Sequence, residues 1–146
     1  MKVNIFVRKK SSNNQNSVER YARILKQGLD SKKFKVNIVE CPLVSRGLFK
    51  RLYLILWAYF HQGNVNHILG DINFISLLMK KKKTINTFLD CRLLNEFKGF
   101  KRSVYKFLWF SLPIKSSFIN TFISSFTKKE IEKKLDKKIV NSYVTP

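Results

Sequence analysis

Seven polar residues lie at or near the ends of predicted buried strands, and their side chains are of kinds that bind phosphates and hydroxyls. A guanidinium grips phosphate or carboxylate groups with two hydrogen bonds. An imidazole exchanges protons near neutral pH, and carboxylates and hydroxyls accept hydrogen bonds from a ligand. The candidate site residues are Arg8, Ser17, Glu19, His67, Asp71, Asp90 and Ser124. They predict a site for a polar ligand, but their types and spacing assign no catalytic residue.

Several of these residues also have a structural interpretation that the sequence leaves open. Glu19 follows Asn16 at the spacing of a reciprocal helix cap. Asp71 is placed to cap a helix that begins at Ile72. His67 fits a general base or a ligand contact, and it equally fits a strand residue with only a structural role.

The segment that follows Ser124 has the pattern of a helix start. Thr127 and Glu130 have the spacing of a capping box, which predicts that a helix begins after Thr127. We therefore expect a helix over residues 128–135.

The elements that must position these side chains alternate between strand and helix. Strands are predicted at residues 3–8, 34–40, 66–69, 84–89, 117–124 and 138–144. Helices are predicted at residues 16–29, 47–60, 72–79, 101–110 and 128–135, the fourth stopped near Pro113. This alternation implies an α/β fold, a Rossmann-like parallel sheet of about six strands with helices on both faces. Because parallel strands deliver their carboxyl ends to one edge, the candidate residues are expected to share one rim.

Composition limits the class of protein and of partner. With 45% apolar and 14% aromatic residues in 146, the chain is one globular domain and no disordered basic tail. Its 29 Lys and Arg against 9 Asp and Glu give a net charge of +20, which attracts nucleic acid, anionic lipid or phosphorylated ligands without choosing among them.

Other classes of site and of targeting signal find no support in the sequence. Cys41 and Cys91 lie far apart, no secretory leader is evident, and a reducing compartment is expected. The longest apolar run, residues 52–60, is far shorter than the roughly 20 residues of a spanning helix. Neither histidine has a ligand at metal spacing, and no Walker loop or glycine fingerprint is present, so no metal and no cofactor are predicted.

The predicted helix at residues 47–60 has almost no polar side. A helix of that kind is normally buried, yet a two-layer domain hides only one broad face of it. The remainder fits a membrane interface, where basic and aromatic residues are favoured. The candidate membrane-surface residues are Arg46, Lys50, Arg51, Trp57 and Phe60.

Four segments together resemble the N-terminal domain of family-4-type glycosyltransferases, which have the GT-B fold. Residues 16–22 resemble the element after that family's first strand, which usually has a Gly-Gly-x-Glu motif. Residues 66–71 and 87–90 resemble its third- and fourth-strand ends, with Leu89 where the family usually has His. Residues 123–131 resemble its Ser-x-x-Thr-Lys element. The resemblance spans essentially the whole chain.

The resemblance implies a function that the residues alone do not. It implies a hexosyltransferase-type enzyme for cell-surface glycan synthesis, cytoplasmic and peripheral at the inner membrane face. Residues 1–146 would form the acceptor-binding domain, and its partners would be a nucleotide-sugar and a glycan or lipid-linked acceptor. Nothing in the sequence corresponds to the donor-binding domain, so we expect no turnover from this chain alone and a possible separate donor-domain subunit. Arg8 would contact an anionic group, and His67 and Asp90 would contact acceptor hydroxyls.

Two other functions compete with this one. A nucleic-acid-binding module would explain the charge, but lysine outweighs arginine and the aromatic residues follow core-facing periods, so nucleic acid is not the expected partner. The other is a non-catalytic adaptor on an anionic membrane surface, built on the same fold.

Overall fold

The computed structural model of the chain describes residues 1–10, 17–30 and 34–145. Its centre is a sheet of six parallel strands in the order β2-β1-β3-β4-β5-β6. The strands are β1 Lys2–Val7, β2 Lys35–Glu40, β3 Val65–Leu69, β4 Thr84–Phe88, β5 Ile119–Phe122 and β6 Ser142–Val144. The predicted α/β, Rossmann-like parallel sheet is confirmed.

Helices connect consecutive strands. The α-helices are α1 Ser17–Asp30, α2 Leu48–Phe60, α3 Arg92–Glu96, α4 Gly99–Lys106, α5 Leu112–Ser116 and α6 Ser125–Leu135. Two 3₁₀ helices, Asn73–Leu78 and Lys81–Lys83, lie between β3 and β4, and a π-helical turn, Phe107–Ser111, joins α4 to α5. The predicted start of the first helix at Asn16 falls outside the described residues.

The two faces of the sheet are covered unequally. Alternate residues of β1 separate the two sides, with Ile5 packing among residues of α1 and Phe6 packing among residues of the other helices. The cluster around α1 draws on β1, β2 and Leu69, whereas the larger cluster includes residues from α2, the π turn and α6. Helices therefore lie on both faces, with α1 on one and most of the remaining helical layer on the other.

The segment after β3 differs from its prediction. Residues 72–79 were expected to form an α-helix, but Asn73–Leu78 is 3₁₀, with Ile75 N donating to Ile72 O and Met79 N donating to Ser76 O. The Ser76 hydroxyl, fully buried, donates to Asn73 O at 2.8 Å and also meets the amide of Asn86. These buried polar contacts stabilise the tighter turn over a segment too short for a packed α-helix.

The helix predicted at residues 101–110 is longer than expected. It begins at Gly99, passes through the π turn and continues to Ser116, so the expected stop near Pro113 is wrong. Pro113 lies inside this continuous run, two residues after the π turn, and does not end it. The π turn places Trp109 and Phe110 in the core.

The last two predicted elements begin at other residues than expected. α6 begins at Ser125 because the Ser124 hydroxyl caps it, accepting from Thr127 N at 3.0 Å. The predicted capping box starting at Thr127 is therefore wrong. β6 is shorter than residues 138–144, since Ile139 N donates to the Glu132 carboxylate at 2.9 Å and holds the preceding residues against α6.

Asparagines form two aligned groups on the side of the sheet away from α1, and the groups are offset by two residues between β3 and β4. Asn4 aligns with Asn37 and Asn66, and Asn86 aligns with Asn120. The Asn4 amide donates to His61 O at the end of α2, and the Asn120 amide donates to Ile114 O in α5. These two hydrogen bonds therefore link β1 to the end of α2 and β5 to α5.

α2 is buried along only one side. Leu54 and Ala58 are fully buried, whereas Phe49 and Phe60 are 85% and 77% exposed. None of the helices in the described part of the chain is both long and apolar enough to cross a membrane.

Candidate functional site

A cavity of about 610 Å³ opens beyond the carboxyl ends of β1, β3 and β4. The chain runs outward from β1 to β2 and then reverses to β3 on the other side of β1, so the crevice between β1 and β3 is a topological switch point. Ligands of open parallel sheets bind at such points. The cavity is lined by Arg8, Ser17, Val18, Tyr21, Gly70, Asp71, Asn73, Phe88, Leu89, Asp90, Arg92, Leu93, Tyr105, Trp109, Phe110 and Ile123.

The start of α1 is held against the end of β3 by a glycine. Gly70 has φ +86°, and a Cβ added to it would lie 3.1 Å from Val18 Cγ2. Both the positive φ and the close approach require glycine. The turn thereby brings Ser17 and Asp71 to the same cavity.

Arg8 lies between two carboxylates. Its Nε is 3.7 Å from Glu19 Oε1, and its Nη1 is 3.8 Å from Asp71 Oδ2. These ion pairs fix the guanidinium at the rim and offset its charge. Because Arg92 and Asp90 also line the cavity, the lining combines both signs, which suits a neutral, hydroxyl-rich ligand as well as an anionic one.

Asp71 is free of the capping role that the sequence left open. The 3₁₀ helix after it has no side-chain cap, and the Asp71 side chain is 53% exposed. Its backbone oxygen accepts a 2.7 Å hydrogen bond from Trp109 Nε1, which fixes the residue in place. The carboxylate is therefore available to a ligand.

Asp90 is both a structural and a candidate binding residue. Its Oδ1 accepts from Arg92 N at 3.2 Å, which orders the turn into α3, and its side chain lies at the cavity. A carboxylate has more acceptor positions than this one bond uses. Leu89, beside it, gives the rim an apolar surface.

Asn73 is a site residue that sequence reasoning missed. It is 2% exposed and lines the cavity, and within the described residues its Oδ1 has no hydrogen-bond partner. A buried acceptor left unpaired costs about 1–3 kcal/mol, and a ligand hydroxyl would satisfy it. In the sequence, Asn73 could have been noticed as a polar residue between Ile72 and Phe74, two positions after Asp71.

His67 lies apart from the other candidates. It occupies the middle of β3, and it is absent from the lining of the cavity. Its Nε2 lies 2.6 Å from Thr87 Oγ1, which lies 2.6 Å from Thr121 Oγ1, so a polar chain crosses three strands. Burial lowers the pKa of His67 to about 4. The imidazole is neutral at pH 7, and its hydrogen bond to Thr87 stabilises the pairing of β3 with β4.

Ser124 and Glu19 have structural partners. Ser124 caps α6 and also lies 3.0 Å from the Thr127 hydroxyl, and only its neighbour Ile123 reaches the cavity. Glu19 supports Arg8 from the first turn of α1, where a carboxylate also suits the helix dipole. Its Oε2 is buried and has no hydrogen-bond partner in the ranges that the structure describes.

One wall of the cavity is aromatic. Tyr105 stacks on Trp109 with ring centroids 4.7 Å apart and 25° between the planes. Burial raises the pKa of Tyr105 above its ordinary value, and the nearby Asp71 and Asp90 carboxylates raise it further. The phenol therefore stays protonated, as a hydrogen-bond donor beside a flat apolar surface.

No group of three or more His, Cys, Asp and Glu side chains in the described part of the chain is placed to hold a metal ion. Cys41 and Cys91 are both unpaired. Burial, with a smaller contribution from Asp71 and Glu40, raises the pKa of the Cys41 thiol to about 12, so it is an unreactive core group.

The candidate membrane residues separate into two sets. Arg46, Lys50 and Phe60 are exposed. Trp57 instead turns inward, edge-on to Phe6 and stacked on the His61 ring. Arg51 lies over the Trp109 ring, 4.7 Å from its centroid.

The chain matches no known protein-family model, and its sequence matches no curated protein. The resemblance to glycosyltransferases therefore stays a prediction. The site rests on its own geometry, in which Arg8, Ser17, Asp71 and Asp90 come together from four separate segments.

Proposed function

We propose that this chain is the acceptor-binding domain of a nucleotide-sugar-dependent glycosyltransferase that builds a cell-surface glycan. The observation that carries the proposal is the 610 Å³ cavity at the switch point, where Asp71 and Asp90 line the same space as the aromatic residues Tyr105 and Trp109. Carboxylates accept hydrogen bonds from sugar hydroxyls, and the stacked Tyr105–Trp109 pair adds apolar surface to the lining of the same cavity.

The unpaired buried acceptor of Asn73 adds to this support. A hydroxyl is the simplest ligand group that would donate to Asn73 Oδ1 in so enclosed a position. Arg8, offset by Glu19 and Asp71, would act mainly by orienting these acceptors.

The proposal that the donor is a nucleotide-sugar rests on the resemblance to family-4-type glycosyltransferases. In a two-domain transferase of this kind a facing domain binds the nucleotide-sugar, and it is supplied here by further chain or by a separate subunit. The residues of this domain would bind and orient the acceptor hydroxyl, and would exclude water from one side of it.

The proposal includes a place at the inner membrane face, which the exposed side of α2 supports. Phe49 and Phe60 are exposed beside Arg46 and Lys50, a combination that suits the boundary between headgroups and acyl chains. Each lysine or arginine near an anionic surface contributes on the order of 1 kcal/mol of attraction. The adaptor function would use this surface alone and leave the cavity unused.

The proposal is tested in cells of the source organism that carry variants of the gene. Deletion is expected to remove one sugar from a surface glycan, and the Asp90→Asn and Asn73→Ala variants are expected to reproduce that loss. An Asp136→Asn variant, changed at the far end of α6, is the matched control and should leave the glycan intact. Unchanged glycans after deletion would reject the proposal, and loss on deletion with normal glycans in both site variants would favour the adaptor.

A further inference from the structure

A second cavity, of about 420 Å³, lies directly beside the first. The two share Asp71, Leu93, Tyr105 and Trp109 in their linings, so the stacked Tyr105–Trp109 pair is their common wall. Its volume is within the roughly 300–1,000 Å³ of small-molecule sites.

The second cavity is lined mainly by apolar side chains. Phe97 packs edge-on against Tyr105 at 5.1 Å, and Leu108 and Val104 continue the wall along α4 and the π turn. Phe100, at the outer lip, is 85% exposed. Single exposed apolar residues are ordinary, but a concave apolar wall with an exposed phenylalanine at its mouth indicates a site for an apolar chain.

Two cations stand at the edge of this apolar surface. The Arg51 guanidinium lies 4.7 Å from the centre of the Trp109 ring, and Lys101 Nζ lies 4.3 Å from that of Phe97. Arg51 Nε is buried and has no acceptor among the residues described. Asp71 is the one acidic residue in the lining. An anionic group beside Arg51 would supply the missing acceptor.

We propose that the second cavity binds the apolar chain of a phosphate-headed lipid, with the phosphate against Arg51 and Lys101. The inference rests on the proposed function, because it makes the acceptor a lipid-linked one. The phosphate would lie at Arg51, which contacts the Trp109 ring, and Asp71 lines both cavities.

The test uses the intrinsic fluorescence of Trp109. The chain has two tryptophans, so a Trp57→Phe background leaves Trp109 as the only reporter. The purified chain is titrated with farnesyl diphosphate, with a short-chain lysophosphatidic acid below its micelle concentration, with inorganic diphosphate and with farnesol. At least one of the two lipids should bind saturably and at least about tenfold more tightly than diphosphate or farnesol, because it alone satisfies both halves of the site.

Matched variants locate the binding. Phe100→Glu should weaken lipid binding by about tenfold or more, because it places a carboxylate at the mouth of the cavity. Phe107→Glu is its control, since Phe107 belongs to the same helical run and is 51% exposed but does not line this cavity. Arg51→Gln should weaken binding, and Arg20→Gln, at an exposed position on α1 that does not line this cavity, should not. Phe100 is exposed enough that its replacement leaves the core intact, so the test does not depend on how the Arg51 variant folds.

Three outcomes would overturn the inference. They are the absence of saturable binding by either lipid to the folded chain, equal affinity for diphosphate and the lipids, and equal damage from Phe107→Glu and Phe100→Glu. The tighter of the two lipids identifies the chain as isoprenoid or acyl. If a lipid binds but gene deletion leaves the surface glycan unchanged, the lipid site stands and the transferase proposal fails. If deletion removes a sugar but neither lipid binds, the acceptor is not a lipid held in this cavity.

Discussion

A Cβ on Gly70 would lie 3.1 Å from Val18 Cγ2, so the turn after β3 packs tightly against the first turn of α1, and φ +86° at Gly70 favours glycine there. This contact sets the spacing of two segments that line the larger cavity.

Gly70→Ala is therefore expected to be damaging. The positive φ of +86° and the contact with Val18 should together reduce the free energy of unfolding by about 1–3 kcal/mol. Gly28→Ala is the matched control, since a Cβ there meets nothing within 4 Å, and alanine in a helix is favoured by up to about 1 kcal/mol. Urea denaturation of both variants is the measurement, and equal stabilities would contradict the role given to Gly70.

The stability of the fold should fall on acidification through His67. Its pKa of about 4 in the folded chain is below its ordinary value of about 6.5, so between these values the unfolded chain binds a proton that the folded chain does not. The free energy of unfolding should therefore be unaffected by this group above pH 6.5 and should fall by at most about 3 kcal/mol as the pH drops to 4.

His67→Gln should flatten that part of the pH dependence, whereas His61→Gln, at the exposed end of α2, should leave it unchanged. Denaturation midpoints measured from pH 7 to pH 4 decide the matter. An undiminished pH dependence in the His67 variant would assign the effect to carboxylates instead.

Asn73→Leu should separate function from stability. The change removes a buried unpaired acceptor, so the free energy of unfolding should stay level or rise by about 1 kcal/mol. Glycan synthesis should still fall about tenfold or more, since a contact of about 1.4 kcal/mol is lost. Asn4→Leu is the converse control, because its amide donates to His61 O and accepts from the Asn37 amide, so its loss should lower stability without affecting the site. A strongly destabilised Asn73 variant would show that the amide is structural.

Binding to anionic vesicles should depend on α2. Vesicles containing phosphatidylglycerol are expected to bind the chain, and added salt should weaken binding because it screens the charges. Replacing Phe49 and Phe60 by Ser should weaken binding by about tenfold or more, since about 1.5–3 kcal/mol of burial is lost for each ring fully inserted. Phe126→Ser, at an equally exposed position on α6, should have little effect. Vesicle sedimentation measures this, and tight sequence-selective binding of nucleic acid without vesicle affinity would favour the rival function.

The 146-residue chain by itself should not turn over. In the proposed two-domain enzyme the nucleotide-sugar binds the facing domain, so we expect this chain to release no sugar from a panel of nucleotide-sugars. Product analysis by chromatography is the measurement. Turnover by the wild-type chain that is lost in Asp90→Asn would mean that the donor also binds this domain.

Much of the fold followed from local patterns. The runs that became β1 to β5 are rich in β-branched and aromatic residues, and alternation with helices was enough to give a parallel sheet. The 3₁₀ segment and the π turn did not follow, because both depend on tertiary contacts. Ser76 bonds to the amide of Asn86 on a neighbouring strand, and Trp109 is drawn to a backbone oxygen at Asp71.

The site was predicted in part for the same reason. Arg8, Asp71 and Asp90 end or follow strands, and a parallel topology brings such residues together wherever they lie in the chain. His67 was misplaced at a strand end, since β3 begins one residue earlier than predicted and the side chain pairs within the sheet. Asn73 and Arg51 are candidate binding residues because each lines a cavity with a buried polar atom that has no partner among the described residues. That property depends on the tertiary structure and cannot be read from one sequence.

The two groups of asparagines on the side of the sheet away from α1 help to fix the register of the strands that carry them. A strand that slipped by one residue would turn its amide to the α1 side, and the backbone oxygens of the helix ends, such as His61 O and Ile114 O, would lose their donors. These side-chain hydrogen bonds therefore stabilise the native strand register, in addition to the apolar pattern along the strands. The residues at the cavity, beyond the carboxyl ends of the strands, take no part in these hydrogen bonds. Replacing Asn4 or Asn120 should therefore disturb strand pairing more than replacing an exposed residue of the cavity rim.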